Sequence, residues 1–265
     1  MIIALLSDIH GNLEALSACL KHTDEAGAGR YAFLGDLVGY GADPQAVVDI
    51  VARYAAQGAV VVKGNHDEAV EKTPRYMNES VRAVIDWTRQ ALSDHGKAFL
   101  SSLSLCVRES DFCFVHASAA SPPRWDYIDS AAAARCSIDA AQVIYTFCGH
   151  VHDQELYVQG SGGKTIAFKP VAGTPVPIGR HRRWLAIVGS VGQPRDSNPA
   201  AAYALFDSER ERITFRRVPY DHIAAARKIR EAGLPVSIAY RPWRRAYERS
   251  LRRQRARRLP HRRAH

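Results

Sequence analysis

Apolar positions along this chain gather into short runs that stop at polar residues of ligand type. The first run, Met1 to Leu6, is apolar at every position and breaks at Ser7-Asp8-Ile9-His10-Gly11-Asn12. Continuous rather than alternating apolarity predicts a central strand buried on both faces. Leu13 to Ala26 then follows helical spacing, with Asn12 placed to cap it. Tyr31 to Leu34 predicts a short strand ending at Gly35-Asp36. Asp43-Pro44 opens a helix to Gln57 with an N-cap and a first-turn proline, and Ala59 to Val62 predicts a third strand ending at Gly64-Asn65-His66-Asp67.

Residues 74 to 103 predict two helices, the first starting near Asn78 or Ser80 and the two parted by Asp94-His95-Gly96. Leu105 to Val107 and Phe112 to Val115 form a hairpin around Glu109-Ser110-Asp111, the second strand ending at His116. A loop from Ala117 to Asp129 precedes a helix, Ala131 to Ala141, and a strand, Val143 to Phe147, that ends at Cys148-Gly149-His150-Val151-His152. The pattern then turns to strands separated by Gly and Pro: Leu156 to Val158, Lys164 to Phe168, Trp184 to Val188, Ala202 to Phe206 and Arg212 to Arg217. A closing helix, Asp221 to Ala232, is stopped by Gly233 and Pro235. An alternation of strand and helix followed by strands predicts two sheets packed face to face with helices outside. No repeat of fixed period is present.

Charge changes this picture only at one end. The 36 Lys and Arg outweigh 27 Asp and Glu by +9, but residues 241 to 265 carry eleven arginines against one glutamate, so residues 1 to 240 sum to −1. The balance predicts a folded domain over residues 1 to 235 and a basic tail over 236 to 265. The tail is basic on nearly every face. It reads either as a solvated segment or as a polyanion-binding arm for RNA, DNA or an anionic surface, with Trp243 and Tyr247 available to stack. No run approaches the length of a membrane span, and the N-terminal run has neither a basic leader nor the length of a signal-peptide core. The five cysteines, Cys19, Cys106, Cys113, Cys136 and Cys148, are scattered and never spaced Cys-x-x-Cys, which predicts buried free thiols in a reducing, cytoplasmic setting.

Candidate chemistry lies at the strand ends. Asp8 and His10, two apart, can point to one side of an extended turn, and a carboxylate beside an imidazole suits manganese, iron or zinc. Alone, this stretch reads equally well as an ordinary strand-to-helix turn. A lone histidine beside an apolar run is more often structural, and His116 taken singly reads that way. Five such ends together reverse that balance: five of the eleven histidines fall there, and the crevice beyond the carboxyl ends of strands is where open α/β sheets bind ligands.

In order and rough spacing, Asp8-x-His10, Gly35-Asp36, Gly64-Asn65-His66-Asp67, His116 and Gly149-His150-x-His152 resemble the blocks of the calcineurin-like metallophosphoesterases. The resemblance covers roughly residues 1 to 220. It points to the bacterial single-domain branch, because Gly35 to Pro44 (GDLVGYGADP) and Gly189 to Asp196 (GSVGQPRD) are similar there too. It implies a four-layer αββα sandwich of two mixed sheets flanked by helices, with two divalent metal ions between the sheets: manganese first, with iron, zinc, nickel or magnesium compatible. By motif, Asp8, His10 and His152 would hold one metal, Asn65, His116 and His150 the other, and Asp36 would bridge them. A bridging hydroxide would attack phosphorus, His66 would protonate or stabilise the leaving group, and Asp67 would orient His66.

The sequence departs from the protein-phosphatase branch, which carries GDxVDRG and a glutamate after GNH. Here Gly39-Tyr40-Gly41 and Asp67 stand instead, so the phosphate-gripping arginine of that branch has no counterpart. Asn12 and Arg195 are the candidate substrate-binding residues. Arg195 would substitute for the missing arginine, or else it is a solvated or paired loop residue. Tyr40, Trp125 and Tyr127 form either an aromatic wall for a substrate ring or part of the core. The expected activity is metal-dependent hydrolysis of a small phosphomonoester or phosphodiester. Serine/threonine protein phosphatase and dinucleoside-polyphosphate hydrolase are the nearer alternatives, and a non-catalytic metal-binding or RNA-binding scaffold the more distant one.

Overall fold

The computed structural model describes residues 1–72 and 79–235. Asn78 and the basic segment 241–265 lie outside those residues.

Two six-stranded mixed sheets face each other. In the first, β1 (Ile2–Leu6) lies parallel to β2 (Arg30–Phe33), and β2 to β3 (Val60–Val61). On the other side of β1 run the antiparallel strands β11 (Ala201–Asp207), β12 (Arg212–Val218) and β9 (Pro175–Pro177). The second sheet has the order β4 (Cys106–Glu109), β5 (Phe112–Val115), β6 (Tyr145–Cys148), β10 (Arg183–Val188), β7 (Gln154–Gln159), β8 (Thr165–Phe168). Its middle, β5, β6 and β10, is parallel.

Side chains alternate across β1 as the pleat requires. Ile3 and Leu5 turn inward against Phe114, Phe147, Leu156, Val188 and Phe206, the apolar layer between the sheets. Ala4 and Leu6 turn outward against α1 (Leu13–Glu25) and α2 (Pro44–Ala56), which contribute Leu16, Cys19, Val47 and Val51. With helices on one face and a second sheet on the other, β1 has no wet face, hence its unbroken apolarity. The outer face of the second sheet, Cys113, Val115, Leu185 and Ile187, is covered by Ala134, Ile138 and Ala141 of α6 (Ala131–Ala141). The four-layer αββα arrangement is the expected one.

Several local expectations shift. Gly64 is followed at once by a short helix, α3 (Asn65–Glu71), so the third ligand block lies on a helical first turn rather than in a loop. The pair α4 (Glu79–Ala91) and α5 (Asp94–Ser102) is as expected, but Asp94-His95-Gly96 belongs to the first turn of α5, capped by Ser93 Oγ accepting from Gly96 N at 3.1 Å. Strand β9 went unanticipated because prolines bound it. They are tolerated there because β9 is the sheet edge, paired on one side only. Asn12 Oδ1 caps α1 by accepting from Ala15 N at 3.1 Å. Asp43 makes no side-chain cap; its carboxylate instead takes Lys228 Nζ at 2.9 Å, and Lys228 also reaches Glu14 at 2.5 Å, docking α7 (His222–Glu231) onto α1 and α2. All five cysteines are free, but only Cys19, Cys113 and Cys148 are buried; Cys136 is exposed.

Candidate metal centre

Strands β1, β2, β5 and β6 all deliver their carboxyl ends to one place, and the first turn of α3 joins them. There the chain leaves regular geometry. Asp8, His10, Asp36, His150 and His152 have φ between 51° and 72°, the left-handed region that costs a residue with a Cβ about 1–3 kcal/mol. Close packing of the loops holds them so. A Cβ on Gly149 would collide with Ser7 Oγ and Asp8 Oδ2, and one on Gly64 with the backbone and carboxylate of Asp36.

The ring nitrogens are oriented by carbonyls, which can only accept. His10 Nδ1 donates to Val38 O at 3.2 Å, His116 Nδ1 to Leu34 O at 2.7 Å and His152 Nδ1 to Gln193 O at 2.6 Å. Each neutral ring therefore turns a bare Nε2 inward. His10 Nε2 and His152 Nε2 lie 3.2 Å apart, and His152 Nε2 is 3.2 Å from Asp8 Oδ1, a buried oxygen with no hydrogen-bond donor. On the other side His116 Nε2 lies 3.1 Å from His150 Nδ1 and 3.2 Å from Asn65 Oδ1. Between the two sets stands Asp36, its Oδ2 3.8 Å from His10 Nε2 and 3.4 Å from His116 Nε2. Its Oδ1 accepts from His66 N at 2.8 Å. Seven acceptor atoms crowded in a buried pocket repel one another unless cations or protons lie between them. Nitrogen and carboxylate donors of this kind fit borderline divalent ions.

Protonation follows the same logic. Burial works to raise the Asp8 carboxyl, but His152 holds it down, and the histidines around Asp36 hold that carboxyl well below the usual carboxylate range. Burial pushes His10 and His66 down, and takes His150, beside His116, to about 3. His116 goes the other way: burial opposes its charge, but the Asp36 carboxylate more than offsets this and carries it up to about 9. Its extra proton occupies the place a cation would take.

Asp67 is buried and raised to about 7 by burial and by Asp36. Its carboxylate accepts from Gly64 N and Leu37 N, both at 2.9 Å, and from Val38 N at 3.2 Å, so it ties the second ligand loop to the third. The ring of His66 lies between those of Tyr40 (4.6 Å) and His10 (5.0 Å), and its Nδ1 is buried without a partner. A His66 nitrogen also falls within 4.8 Å of ligand atoms of His10 and Asp36. The Asn12 amide is engaged throughout: besides the cap, Nδ2 donates to Gly192 O at 3.0 Å and to Tyr220 Oη at 3.2 Å. These bonds give Asn12 a structural role, fixing the start of α1 against Gly192 and Tyr220. The three aromatic candidates separate. Tyr40 and Trp125 are buried, Trp125 donating from Nε1 to Glu68 at 3.0 Å, while Tyr127 is 54% exposed with its ring 4.2 Å from that of His150.

Residues 1–211 match the calcineurin-like phosphoesterase superfamily domain. The chain belongs to that superfamily. It is 32% identical over 251 residues to the uncharacterised protein MJ0912 of Methanocaldococcus jannaschii, covering 91% of this chain and 96% of that protein. A crystal structure of a metallophosphoesterase from Sphaerobacter thermophilus is similar at 34% identity and TM-score 0.81, over 91% of this chain and 98% of that one. Hypothetical protein PH1004 from Pyrococcus horikoshii shares the fold at TM-score 0.74 and 18% identity, over 91% and 97% of the two chains. Among the described residues no helix is long and apolar enough to cross a membrane.

Residues without a chemical signature of their own complete this phosphoesterase-family site. Gln193 holds His152 through a main-chain carbonyl, and Ser190 Oγ donates to Asp8 O at 2.8 Å while accepting from Gln193 N at 2.8 Å. Both lie in the stretch Gly189 to Asp196, whose likeness to the family was the one signal available for them.

Proposed function

We propose that this chain is a dinuclear-metal phosphoesterase that hydrolyses phosphomonoesters or phosphodiesters. The observation that carries the proposal is Asp36 standing between two sets of inward-facing acceptors. In this reading Asp8, His10 and His152 would hold one ion, Asn65, His116 and His150 the other, and Asp36 would serve both. Two bound divalent cations supply Lewis acidity toward phosphoryl oxygens and lower the pKa of water to near neutrality. The chain's carboxylates, Asp8 and Asp36, neutralise only part of such a charge, which favours an anionic substrate.

His66 is the group assigned to place a proton on the departing oxygen, because its ring borders both Asp36 and His10 and its Nδ1 is not engaged. Asp67 positions His66 indirectly, by fixing the loop on which it sits. Arg195 is assigned to the phosphate: its Nε is buried without a partner, its Nη2 reaches Gln193 Oε1 at 3.4 Å, and Gln193 is the residue bracing His152. Tyr127, exposed beside His150, would flank the alcohol or base of the substrate. A substrate panel of p-nitrophenyl phosphate, bis-p-nitrophenyl phosphate, a dinucleoside polyphosphate and a phosphopeptide, run on metal-loaded protein, separates monoesterase, diesterase, polyphosphate hydrolase and protein phosphatase by which is turned over fastest. No turnover of any of them with two metals bound would favour a binding scaffold. Polyanion binding by residues 241–265 is a separate proposal, and it requires affinity that falls steeply with salt.

A further inference from the structure

At the opposite end of the second sheet from the metal centre lies a cavity of about 490 Å³. Its floor is Ile144, the residue before β6, and Arg183, the first residue of β10. Both strands run from the cavity toward the metal centre, and β6 alone, at about 3.3 Å per residue, separates the two by about 13 Å.

Four arginines line this cavity: Arg135 from α6, and Arg180, Arg182 and Arg183 from the approach to β10. Only two of them meet carboxylates. Arg180 pairs with Asp111 at 2.6 Å, and Arg183 lies 4.0 Å from Asp139, which is also bonded to Gln159 at 2.8 Å. Arg135 and Arg182 have no ion pair among the described residues, although Arg135 sits one helical turn from Asp139. The remaining wall is Asp139, His181 and the end of β7 with its turn, Gln159, Gly160, Ser161 and Gly163. A Cβ at Gly160 would meet nothing within 4 Å, and Gly160 has no left-handed φ, so neither packing nor backbone geometry requires glycine there. What the glycines provide is an open rim that a ligand can approach closely.

Four guanidinium groups against one lining carboxylate, Asp139, with Arg135 and Arg182 outside any ion pair among the described residues, leave a net positive cavity that matches the charge of linked phosphates, and the volume lies within the range of small-molecule sites. We propose that this cavity is a second binding site, distinct from the metal centre, for a small ligand carrying two or more linked phosphate groups.

The test is an amide NMR titration of the full-length chain with inorganic triphosphate in EDTA, so that no phosphate is held by metal. The Gly160 and Gly163 amides line this cavity and so report on it separately from basic residues elsewhere. Saturable shifts at these glycines are expected, with affinity at least about tenfold weaker in the Arg135→Ala/Arg182→Ala double variant and unchanged in Arg227→Ala. Because both replaced side chains are exposed, dispersion of the remaining spectrum will show that the variant is folded. Unmoved glycine amides, or equal affinity in the double variant, would overturn the proposal. Failure of the phosphoesterase reading would leave this result untouched, since no metal is present.

Discussion

The two halves of the proposed metal centre are built to different standards. In the half formed by Asp8, His10 and His152, every ligand residue is essentially without solvent exposure, and both rings are fixed by main-chain carbonyls. Asp8 is held by the His150 N–H at 2.9 Å. In the half formed by Asn65, His116 and His150, only His116 has a carbonyl brace. His150 Nε2 has no partner, Asn65 is half-buried, and exposed Tyr127 is the cover. Ligands oriented in advance cost less to order on binding, so the braced half should hold its ion tightly and the open half should exchange.

Four measurements break or sharpen that contrast. The largest effect belongs to His152→Ala, which should abolish turnover and remove the tightly held ion. His150→Ala should leave that ion in place and lose only the exchangeable one, as elemental analysis after gel filtration would show. Loss of both ions in both variants would erase the distinction. Next, His66→Ala should slow an ester with a poor leaving group by about 10²–10⁴ while sparing p-nitrophenyl esters and metal content. Equal loss on both esters would remove His66 from proton transfer.

Smaller again is Ser190→Ala, which touches no ligand atom but loosens Asp8 and Gln193 together. An affinity loss of about 10–100-fold for the tighter ion is expected. An effect on the weaker ion instead would put Ser190 in the wrong half. The mildest test is pH. In the metal-free chain His116 is raised to about 9, so below that pH an ion entering the open half must displace its proton. Affinity of that half should therefore rise about tenfold per pH unit up to about 9 and then level off. The braced half, where burial keeps His10 neutral, should be nearly flat between pH 7 and 9. Calorimetry in buffers of different ionisation enthalpy would count the released proton.

What the sequence made legible divides along similar lines. The proposed ligands stand out because each is a residue type with its own chemistry, placed where an apolar run stops. Their braces do not, because Leu34, Val38 and Gln193 act through carbonyls that any residue carries. Adjacency points Asp67 only at His66, whereas its carboxylate also reaches across 29 and 30 positions to Val38 and Leu37. The seven-residue helix α3 was hidden by the ligand block it begins with, and β9 by its two prolines. The arginine cavity could not be seen at all, since its walls come from three separate stretches of chain.

The central claim, one carboxylate shared by two ions, is tested most directly by counting metal in Asp36→Asn beside the parent. The amide keeps the size of the side chain and can still accept from His66 N, so the loop should stay folded. The account predicts two ions per parent chain, and in the variant no more than one, with no measurable turnover. Two ions retained with full activity in Asp36→Asn would contradict it.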